Sequence, residues 1–405
     1  MNVFVIPAWY PTAYFPLTGI FVKEQQEVMA IQEPGLTIGV SIWGQLDTRY
    51  LLWIKNPVQS LQKVWKTDTT PFTRTILPNL REYHSPTFTW TRKLLHGNRK
   101  RILKAMLVNY NQFEKDFGSV DIIHAHVGEI AGQLAMELAR IKKVPYLITE
   151  HMGPFPGPYA ADKTGNLTPF YREPYLNAAA NIAVSPFQKQ EMARQQIPNI
   201  TIVPNFVDES FFKPGPEVVT QPFTFFTLAR LIPEKGIDQL LQAFKLVFES
   251  DQTVKLRIGG DGPYLADLKD LAKTCGVDAS ITWLGKLTRE QAQQEYQQCN
   301  AFVLPSQYET FGMVYAEAIA CGKPIIATRC GGPESIVTEQ NGLLTNKGDV
   351  YSLAEAMKKM MKNDSQYKSD LIREDFINRF SAKAVVPRLK ELYRQLSTQT
   401  ALRTQ

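Results

Sequence analysis

Short apolar runs alternate with amphipathic stretches along most of the chain, and this alternation occurs in two successive series. In the first series, apolar runs predict strands at 2–7, 36–43, 120–125, 146–149, 181–184 and 200–203, and helical spacing predicts helices at 19–30 and 132–140. In the second, the predicted strands are 223–229, 254–258, 281–284 and 301–304, and the predicted helices are 237–248, 264–275 and 289–299. The pattern therefore predicts an α/β protein with two Rossmann-like, doubly wound parallel-sheet domains.

A segment without period, 204–223, separates the two series and contains four prolines and one glycine. We therefore predict a first domain over 1–205, a linker over 206–222 and a second domain over 223–380. Apolar positions at helical spacing between Ala384 and Leu396 predict a further helix. Because ligands of open parallel sheets bind at the carboxyl ends of strands, we expect the two domains to face each other across a cleft.

Composition is that of a globular protein, with 44% hydrophobic and 21% charged residues. No apolar run reaches membrane-spanning length, and the opening MNVFVIPAWYP predicts a short strand rather than a signal peptide. The four cysteines form no CxxC pair, and no histidine has metal-ligand spacing to a cysteine. We therefore expect reduced cysteines, no zinc site and a cytoplasmic location.

Positive charge is concentrated in the first half: residues 1–200 hold 21 Lys and Arg against 15 Asp and Glu, and the chain carries a net charge of +6. Within 55–104, eleven basic residues accompany only Asp68 and Glu82, with aromatic residues interleaved. This mixture is typical of contact with an anionic membrane or a phosphorylated lipid, and it also occurs in nucleic-acid-binding proteins. A solvated region with buried aromatic side chains is the alternative.

We favour peripheral membrane contact over nucleic acid for this basic segment. The prediction is that neutralising four of its cations weakens binding to vesicles; they are Lys93, Arg99, Lys100 and Arg101.

Glu309 and Glu317 are separated by seven residues in PSQYETFGMVYAEAIACGKP. The apolar run 301–304 predicts a strand, a polar break follows, and helical spacing begins at Gly312. One carboxylate is therefore expected in the loop and the other in the second turn of the helix. The alternative without a functional role is an ordinary helix start that is flanked by two glutamates.

The helix start between the two glutamates suits a nucleotide sugar. Free N–H groups at Phe311, Gly312 and Met313, together with the positive end of the helix dipole, favour a phosphate group. Carboxylates accept hydrogen bonds from hydroxyl groups, so one glutamate is suited to a ribose and the other to a transferred sugar.

Two cations, Arg230 and Lys235, lie in TLARLIPEKG between a predicted strand and a predicted helix. They are suited to neutralise charge that develops on a departing nucleoside diphosphate. The alternative is two surface bases near a helix start, where positive charge is slightly unfavourable.

Histidines follow two strands of the first domain. His124 and His126 share one face at the end of a predicted strand, and a structural role is the common one for such residues. His151 follows another strand in a loop rich in Gly and Pro, where we expect it to be exposed. We therefore favour His151 over His126 as the catalytic-site histidine.

Glycines and aromatic residues at other strand ends complete the candidates. IGGDGPYL contains Gly260, and WLGKL contains Leu287; a tight turn explains each glycine almost as well as a ligand does. In PAWYPTAYFPLTGIF, Gly19 begins a helix after a loop whose aromatic residues, including Trp9 and Tyr10, are suited to contact an acceptor.

The order strand–PSxYETFG–helix–CGKPIIAT–GG resembles the E-x7-E segment of retaining glycosyltransferases of family 4, the glycosyl transferases group 1, which have the GT-B fold. TLARLIPEKG resembles the family motif ARLxPEKG, and LITEH, VPNFVDESFF and GGPESI resemble further family segments. Many members carry a glycine pair where this chain has Thr18 and Gly19. The resemblance covers nearly the whole chain and is loosest over 45–118, where acceptors usually differ.

The resemblance implies a role for each candidate. Glu317 is expected on the ribose and Glu309 on the transferred sugar, while Arg230 and Lys235 bind the diphosphate. The remaining donor contacts are expected at Gly19, Gly260, Leu287, Phe311, Gly312 and Met313. The catalytic set is Glu309, His151, Arg230 and Lys235, the acceptor side is His126, Trp9 and Tyr10, and the terminal helix, 381–405, is expected to pack back on the first domain.

The implied activity is retaining hexosyl transfer from a UDP- or GDP-sugar to a saccharide or lipid-linked saccharide, in envelope, capsule or exopolysaccharide synthesis. No Asp-x-Asp motif is present, so we expect no metal and no cofactor beyond the donor. The expected location is cytoplasmic, with peripheral contact at the inner face of the membrane. The alternatives are a nucleotide-sugar epimerase of GT-B fold and a non-catalytic nucleotide-sugar-binding scaffold.

Overall fold

The computed structural model describes residues 1–53, 55–90, 98–216 and 222–403, with side chains up to residue 398 in the last range. The chain forms two units, which are described separately. The first comprises Met1–Val184, Lys189–Val203 and Val386–Gln405, and the second comprises Ser185–Gln188 and Pro204–Val385.

The first unit is built on one sheet. Its strands are β1 (Asn2–Pro7), β2 (Thr37–Ile42), β3 (Phe72–Leu77), β4 (Leu80–His84), β5 (Ile122–His126), β6 (Tyr146–Glu150), β7 (Ala180–Ala183) and β8 (Ile200–Ile202). Within the described residues their order is β3-β4-β2-β1-β5-β6-β7-β8. Because β1 lies in the middle and the chain builds outward from it in both directions, the sheet is doubly wound, as predicted.

Strand β3 departs from the predicted parallel pattern. It forms an antiparallel hairpin with β4, in which Phe72 lies opposite His84 and Leu77 opposite Leu80. An antiparallel edge strand on an otherwise parallel sheet is common in α/β folds. The first four residues of β3 are exposed on both faces. No apolar alternation therefore marks this strand in the sequence, and the strand was missed.

Helices cover the sheet of the first unit and bury its apolar strands. They are α1 (Ile20–Gln32), α3 (Arg99–Phe117), α4 (Gln133–Lys142), α5 (Pro169–Asn177) and α6 (Pro186–Arg194), and a π-helical turn, Gly128–Gly132, precedes α4. Helix α2 (Pro57–Lys66) has no buried residue and lies on the surface. The ring of Phe4 on β1 packs edge-on against Tyr110 and Phe113 of α3, with centroids 5.1 and 5.9 Å apart. Strands β5 and β6 are buried throughout, which places their carboxyl ends rigidly.

The second unit contains a six-stranded parallel sheet within the described residues. Its strands are β9 (Thr224–Leu228), β10 (Lys255–Gly259), β11 (Ile281–Gly285), β12 (Ala301–Leu304), β13 (Ile325–Thr328) and β14 (Gly342–Thr345), in the order β11-β10-β9-β12-β13-β14. Its helices are α7 (Ile237–Phe248), α8 (Leu265–Cys275), α9 (Arg289–Gln298), α10 (Met313–Ala320), α11 (Val350–Lys362) and α12 (Ser369–Phe380). Short 3-10 turns occur at Pro233–Lys235, Asp278–Ser280, Gly332–Ser335 and Asp364–Gln366.

Arg373 of α12 holds together the region behind the short helix α10. Its guanidinium donates to the carbonyls of Ala320, Glu209 and Phe212, at 2.5, 2.7 and 2.7 Å. Ala320 is the last residue of α10, where carbonyl groups have no partner within the helix. The arginine therefore donates to one of these carbonyl groups at the carboxyl end of α10. The amino end of α10 faces the strand ends.

The last helix, α13 (Ala382–Arg403), belongs to the first unit from Val386 onward. The hydroxyl of Tyr393 lies 2.6 Å from Nδ1 of His124, and Lys390 forms an ion pair with Glu33. Tyr393 is completely buried. This part of the helix is therefore an integral piece of the first unit's core.

Candidate functional site

The strand order of the second unit defines where a ligand is expected to bind. Strand β9 is the first of the unit, β10 and β11 follow on one side, and β12 to β14 follow on the other. The order therefore reverses between β9 and β12, and ligands of open α/β sheets bind outside the carboxyl ends of the strands at such a switch point. The loops that leave β9 and β12 carry the predicted residues Arg230, Lys235 and Glu309.

Hydrogen bonds join these two loops directly. The N–H of Gln307 donates to the carbonyl of Glu234 at 2.8 Å, and the Gln307 side chain donates to Gln239 of α7 at 3.0 Å. A Cβ on Gly236 would lie 2.2 Å from the carbonyl oxygen of Pro305, so only glycine permits this approach. The two loops therefore form one preorganised edge of the candidate site.

An ion pair joins Lys235 and Glu309 at this edge. Lys235 Nζ lies 2.7 Å from Glu309 Oε1, and the hydroxyl of Ser306 donates to the same oxygen at 2.8 Å. Both charged side chains retain some exposure, so a ligand can reach them. Within the described residues, Glu309 Oε2 has no donor and remains available for a hydroxyl group. The geometry thus pairs an acceptor for hydroxyls with a cation for phosphates.

The backbone of Glu309 is fixed by the loop after β13. Its N–H donates to the carbonyl of Cys330 at 3.3 Å, and its carbonyl accepts from the N–H of Gly332 at 2.8 Å. A Cβ on Gly332 would lie 2.5 Å from the backbone of Phe311. The GG pair of GGPESI therefore permits the loop of Glu309 to lie against its neighbour, which accounts for the glycines that the sequence shows there.

Helix α10 begins beside Glu309. Gly312 precedes it with a φ of 97°, in the region that favours glycine, and a Cβ there would lie 2.5 Å from the ring of Tyr315. Within the described residues, the N–H groups of Gly312 and Met313 have no hydrogen-bond acceptor. Phe311 has a buried side chain, so its expected contribution is restricted to its backbone. The amino end of α10 therefore offers free N–H donors next to a cation.

Glu317 lies in the second turn of α10, as predicted, and Tyr296 of α9 donates a hydrogen bond to its Oε2 at 3.0 Å. Burial raises the pKa of Glu317, and the hydrogen bond from Tyr296 opposes this shift. The ring of Tyr296 packs between Phe226 and Phe302, with centroids 5.1 and 5.5 Å away. Tyr296 thus positions Glu317. Sequence reasoning missed it, although it is the one aromatic residue of the polar helix α9.

The remaining predicted donor residues lie at the ends of β9, β10 and β11. Arg230 is exposed, and none of the described acidic residues forms an ion pair with it. A Cβ on Gly260 would lie 1.8 Å from the carbonyl oxygen of Ala229, and a Cβ on Gly259 would lie 2.8 Å from a methyl of Leu287. Close packing of strand ends therefore suffices to explain the glycine at position 260. Contact of Gly260 and of Leu287 with the nucleotide donor stays a prediction.

The first unit has its own switch point, between β1 and β5, and predicted histidines lie there. His126 is the last residue of β5, and His151 follows β6. His126 Nδ1 and His151 Nε2 are 3.0 Å apart, and Gln26 of α1 lies 3.4 Å from the other nitrogen of His126. His151 is only 8% exposed, so the expectation of an exposed histidine was wrong. Phe21, His126 and the neighbouring loop cover it, since the ring of Phe21 lies 4.8 Å away.

His124 belongs to the same buried cluster. Its two nitrogens lie 2.6 Å from the Tyr393 hydroxyl and 2.7 Å from the Thr149 hydroxyl. Burial lowers the pKa of His124 and of His151 to about 3, and it lowers that of His126 well below the usual value. The three rings are therefore neutral in the folded protein near pH 7.

Glu150, next to His151, is buried without a cationic partner among the described residues. Its carboxylate accepts hydrogen bonds from the N–H groups of Gly128, His151 and Met152 and from the hydroxyl of Tyr175. Burial raises its pKa, and these donors oppose the shift. The glutamate of the TEH segment thus fixes the loop that carries His151.

The aromatic loop after β1 differs in part from its predicted role. Tyr10 is buried, and its hydroxyl donates to Glu82 at 2.8 Å, so it is not an exposed acceptor contact. Trp9 is partly exposed. Gly19 has a φ of 71°, and a Cβ there would lie 2.4 Å from the carbonyl oxygen of Trp9, so glycine is required within the loop itself.

The basic segment 55–104 mixes paired and exposed cations. Arg99 forms an ion pair with Glu137 at 2.9 Å and lies over the ring of Phe170, so it is not a free surface charge. Lys100 and Arg101 are exposed, and Lys93 lies outside the described residues. The aromatic residues divide similarly, because Tyr83 is buried and Trp65 is exposed.

Two family models match the chain, and together they span residues 69–378. The model described as Glycosyltransferase Family 4 matches residues 69–211, and the model described as Glycosyl transferases group 1 matches residues 208–378. This protein belongs to glycosyltransferase family 4. The candidate edge formed by Lys235, Glu309 and α10 lies within the second match.

Curated relatives of this family 4 glycosyltransferase match parts of it. An exopolysaccharide phosphotransferase of Streptomyces coelicolor is 31% identical over 51% of this chain and 22% of its own length. An uncharacterized glycosyltransferase of Methanocaldococcus jannaschii is 26% identical over 73% of this chain and 81% of its own. A GDP-mannose-dependent alpha-(1-6)-phosphatidylinositol monomannoside mannosyltransferase of Mycobacterium tuberculosis is 29% identical over 40% and 47%. The match thus spans less than half of the first and third relatives.

Solved structures show that the glycosyltransferase has the GT-B fold, which confirms the predicted fold class. Sucrose-phosphate synthase from Thermosynechococcus elongatus superimposes with a TM-score of 0.76 at 19% identity, over 98% of this chain and 100% of the other. HepE of Anabaena in complex with UDP gives 0.70 at 16% identity, over 97% and 99%. Among the described residues, no helix combines the length and apolar character needed to cross a membrane.

Proposed function

We propose that this protein transfers a hexose from a nucleoside diphosphate sugar to an acceptor hydroxyl, with retention of anomeric configuration. The observation that carries the proposal is the Lys235–Glu309 ion pair at the switch point of the second unit, beside the free N–H groups of α10. A cation and free N–H groups bind a diphosphate, and a carboxylate beside them binds sugar hydroxyls.

Each candidate residue receives a role in this proposal. Arg230 and Lys235, with the N–H groups of Gly312 and Met313, stabilise the negative charge that develops on the leaving diphosphate. Glu309 accepts hydrogen bonds from hydroxyls of the transferred sugar, and Glu317 accepts them from the ribose. No carboxylate is assigned as a nucleophile, and the acceptor hydroxyl attacks on the face of the departing diphosphate, which takes up its proton.

The proposed donor is a UDP- or GDP-sugar, and no metal ion is assigned to the reaction. Groups of three or more metal-ligating side chains were not found among the described residues. GDP-mannose is named for the mannosyltransferase relative, and UDP is bound in the HepE structure. For the acceptor we propose a saccharide or lipid-linked saccharide of the cell envelope, met at the cytoplasmic face of the membrane.

Thermal unfolding with nucleoside diphosphates tests the donor site. We expect UDP or GDP, but not ADP, to stabilise the protein by about 2.7 kcal/mol at a hundredfold excess over its dissociation constant. Arg230→Ala should abolish the shift. The guanidinium is exposed and has no structural partner among the described residues, so the loss reports on ligand binding rather than on folding. Lys245→Ala, at the far end of α7, serves as the control. A shift that survives Arg230→Ala contradicts the assigned site.

Product analysis then separates transfer from the two alternatives. A transferase releases nucleoside diphosphate only in step with a glycosylated acceptor. An epimerase instead interconverts the sugar without an acceptor, and a scaffold binds the nucleotide without any turnover.

Glu317→Gln should weaken nucleoside diphosphate binding about tenfold to a hundredfold without lowering the free energy of unfolding near pH 7. The first effect follows because hydrogen bonds to a charged group contribute about 1.5–3 kcal/mol. The second follows because burial raises the pKa of Glu317 in the folded state. The contribution of such a carboxyl to the free energy of unfolding falls as the pH rises from about 4.5 through the raised pKa. An amide does not titrate, so its contribution does not fall.

Isothermal titration with the nucleotide and urea unfolding near pH 5 and near pH 8 measure the two effects of Glu317→Gln. Glu249→Gln, directly after the end of α7, is the matched control, since Glu249 is exposed. Unchanged affinity would remove the ribose role from Glu317, whereas a strong loss of stability would mean that the carboxylate is needed for folding.

A further inference from the structure

Helix α2 is attached to the first unit by its polar side. The hydroxyl of Ser60 lies 3.0 Å from both the N–H and the carbonyl oxygen of Trp53. The ammonium of Lys63 donates to the carbonyls of Thr48 and Leu51, at 2.9 and 3.3 Å. A surface helix usually packs its apolar side inward. In α2 the arrangement is reversed, and no residue of the helix is buried.

The apolar side of α2 therefore faces away from the protein. Val58, Leu61 and Trp65 are 68%, 62% and 84% exposed. At about 100° per residue these three side chains lie within about 60° of one another, roughly opposite Ser60 and Lys63. Trp53, just before the helix, is also exposed. The result is an apolar stripe along the helix, and Trp53 adds a second exposed tryptophan near its start.

Positive charge accompanies this stripe. Lys55 and Lys66 are exposed at the two ends of α2, and the sequence contains no acidic residue from Thr48 to Thr67. The next acidic residue is Asp68, whose carboxylate accepts a hydrogen bond from the N–H of Thr70 at 2.8 Å. The surface presented by α2 is thus apolar in the middle and cationic at its ends.

We propose that Trp53 and helix α2 dock this protein on a lipid bilayer that contains anionic lipids. The helix lies in the plane of the interface, with Val58, Leu61 and Trp65 below the headgroups, while Lys55 and Lys66 meet the anionic headgroups. The choice of a bilayer as the partner rests on the proposed function, because a lipid-linked acceptor brings the enzyme to such a surface.

The size of the stripe favours a bilayer over a protein partner or a second copy of the chain. Its two tryptophans, the largest side chains, bury at most about 250 Å² each and thus about 500 Å² together. A stable protein interface needs about 800 Å² on each partner. An interfacial helix, by contrast, needs only an apolar face and cations that match anionic lipids.

Co-sedimentation of the full chain with lipid vesicles tests the proposal. Vesicles of phosphatidylcholine and phosphatidylglycerol in equal parts should bind the protein, and vesicles of phosphatidylcholine alone should bind it at least about tenfold more weakly. The double variant Leu61→Ser/Trp65→Ser should weaken partitioning to the anionic vesicles about a hundredfold. Its folding should be intact, because both side chains are exposed.

A matched control uses an apolar side chain exposed elsewhere. Tyr351 of α11, in the second unit, is 75% exposed, and Tyr351→Ser should leave vesicle binding unchanged. Lys55→Gln/Lys66→Gln should remove the preference for anionic vesicles, as should high salt. The nucleotide-induced thermal shift should be the same in the wild type and in all three variants.

Any of four outcomes overturns the proposal. The wild type does not bind anionic vesicles, it binds neutral vesicles equally well, Leu61→Ser/Trp65→Ser binds as the wild type does, or the chain forms a concentration-dependent dimer that the same variant abolishes. The two proposals fail separately, because loss of the nucleotide shift with intact vesicle binding counts against the transferase site alone.

Discussion

Replacing Lys235 by alanine is expected to lower kcat about a hundredfold to a thousandfold, the loss seen when one preorganised donor to a developing negative charge is removed. In the proposed reaction the ammonium of Lys235 stabilises the leaving diphosphate, whose charge increases as the glycosidic bond breaks. The effect should therefore be larger on kcat than on the affinity for the product nucleotide. Steady-state kinetics together with nucleotide titration separate the two quantities.

The same substitution should change the free energy of unfolding by only about 1 kcal/mol. Lys235 and Glu309 both retain contact with solvent, and partly exposed ion pairs contribute little to stability. Ser306 continues to donate to Glu309 when the lysine is absent. Lys245→Ala, which removes an exposed lysine of α7, should alter neither activity nor stability. If kcat stays within a few-fold of the wild type, Lys235 is not the diphosphate clamp.

A double-variant cycle measures the coupling across the ion pair. Each of the substitutions Glu309→Gln and Lys235→Ala disturbs the remaining side chain of the pair, because Lys235 Nζ and Glu309 Oε1 are 2.7 Å apart. The double variant should therefore lose less activity than the product of the two single losses. Independent losses would mean that the ion pair has no role in assembling the site.

Local patterns along the chain were sufficient to predict the elements that carry the proposed donor site. A strand, a break and a helix can each be recognised within about twenty residues, and they place Glu309 before α10 and Glu317 in its second turn. The motif also places Arg230 and Lys235 after a strand. Strand order is not a local property, so the sequence alone did not show that β9 and β12 are neighbours and that Lys235 contacts Glu309.

Residues that act through tertiary contacts were not predicted. Tyr296 reaches Glu317 from a different helix, and nothing in its own neighbourhood indicates that contact. Helix α2 has the apolar spacing of an ordinary packed helix, and only the contacts of Ser60 and Lys63 show that its apolar side is turned outward. His151 was expected to be exposed because glycines and prolines surround it, yet aromatic side chains cover it.

The buried histidines lead to the second large prediction, a steep loss of stability on mild acidification. The folded-state pKa values of His124 and His151 are lowered to about 3, and that of His126 is lowered well below 6.5. Below about pH 6.5 the unfolded chain therefore binds more protons than the folded protein, so stability falls as the pH falls. Each histidine contributes about 1.4 kcal/mol per pH unit in this window.

Between about pH 7 and about pH 5 the three histidines together should lower the free energy of unfolding by up to about 6 kcal/mol, which is a large share of the stability of a typical domain. Glu150 and Glu317 oppose this trend, because their raised folded-state pKa values favour the protonated folded form at lower pH. The three histidines outnumber these two glutamates, so the net slope keeps its sign. Urea unfolding at a series of pH values measures this slope.

Two variants of the same hydrogen bond make the test specific. His124→Gln retains an amide that can bond to Tyr393 and Thr149 but cannot titrate, so it should reduce the slope by about one proton. Tyr393→Phe removes the bonding hydroxyl and leaves His124 buried, so it should lower stability by about 1 kcal/mol at every pH without changing the slope. A slope that His124→Gln leaves unchanged would show that His124 does not resist protonation in the folded protein, and the acid sensitivity would then have to come from other groups.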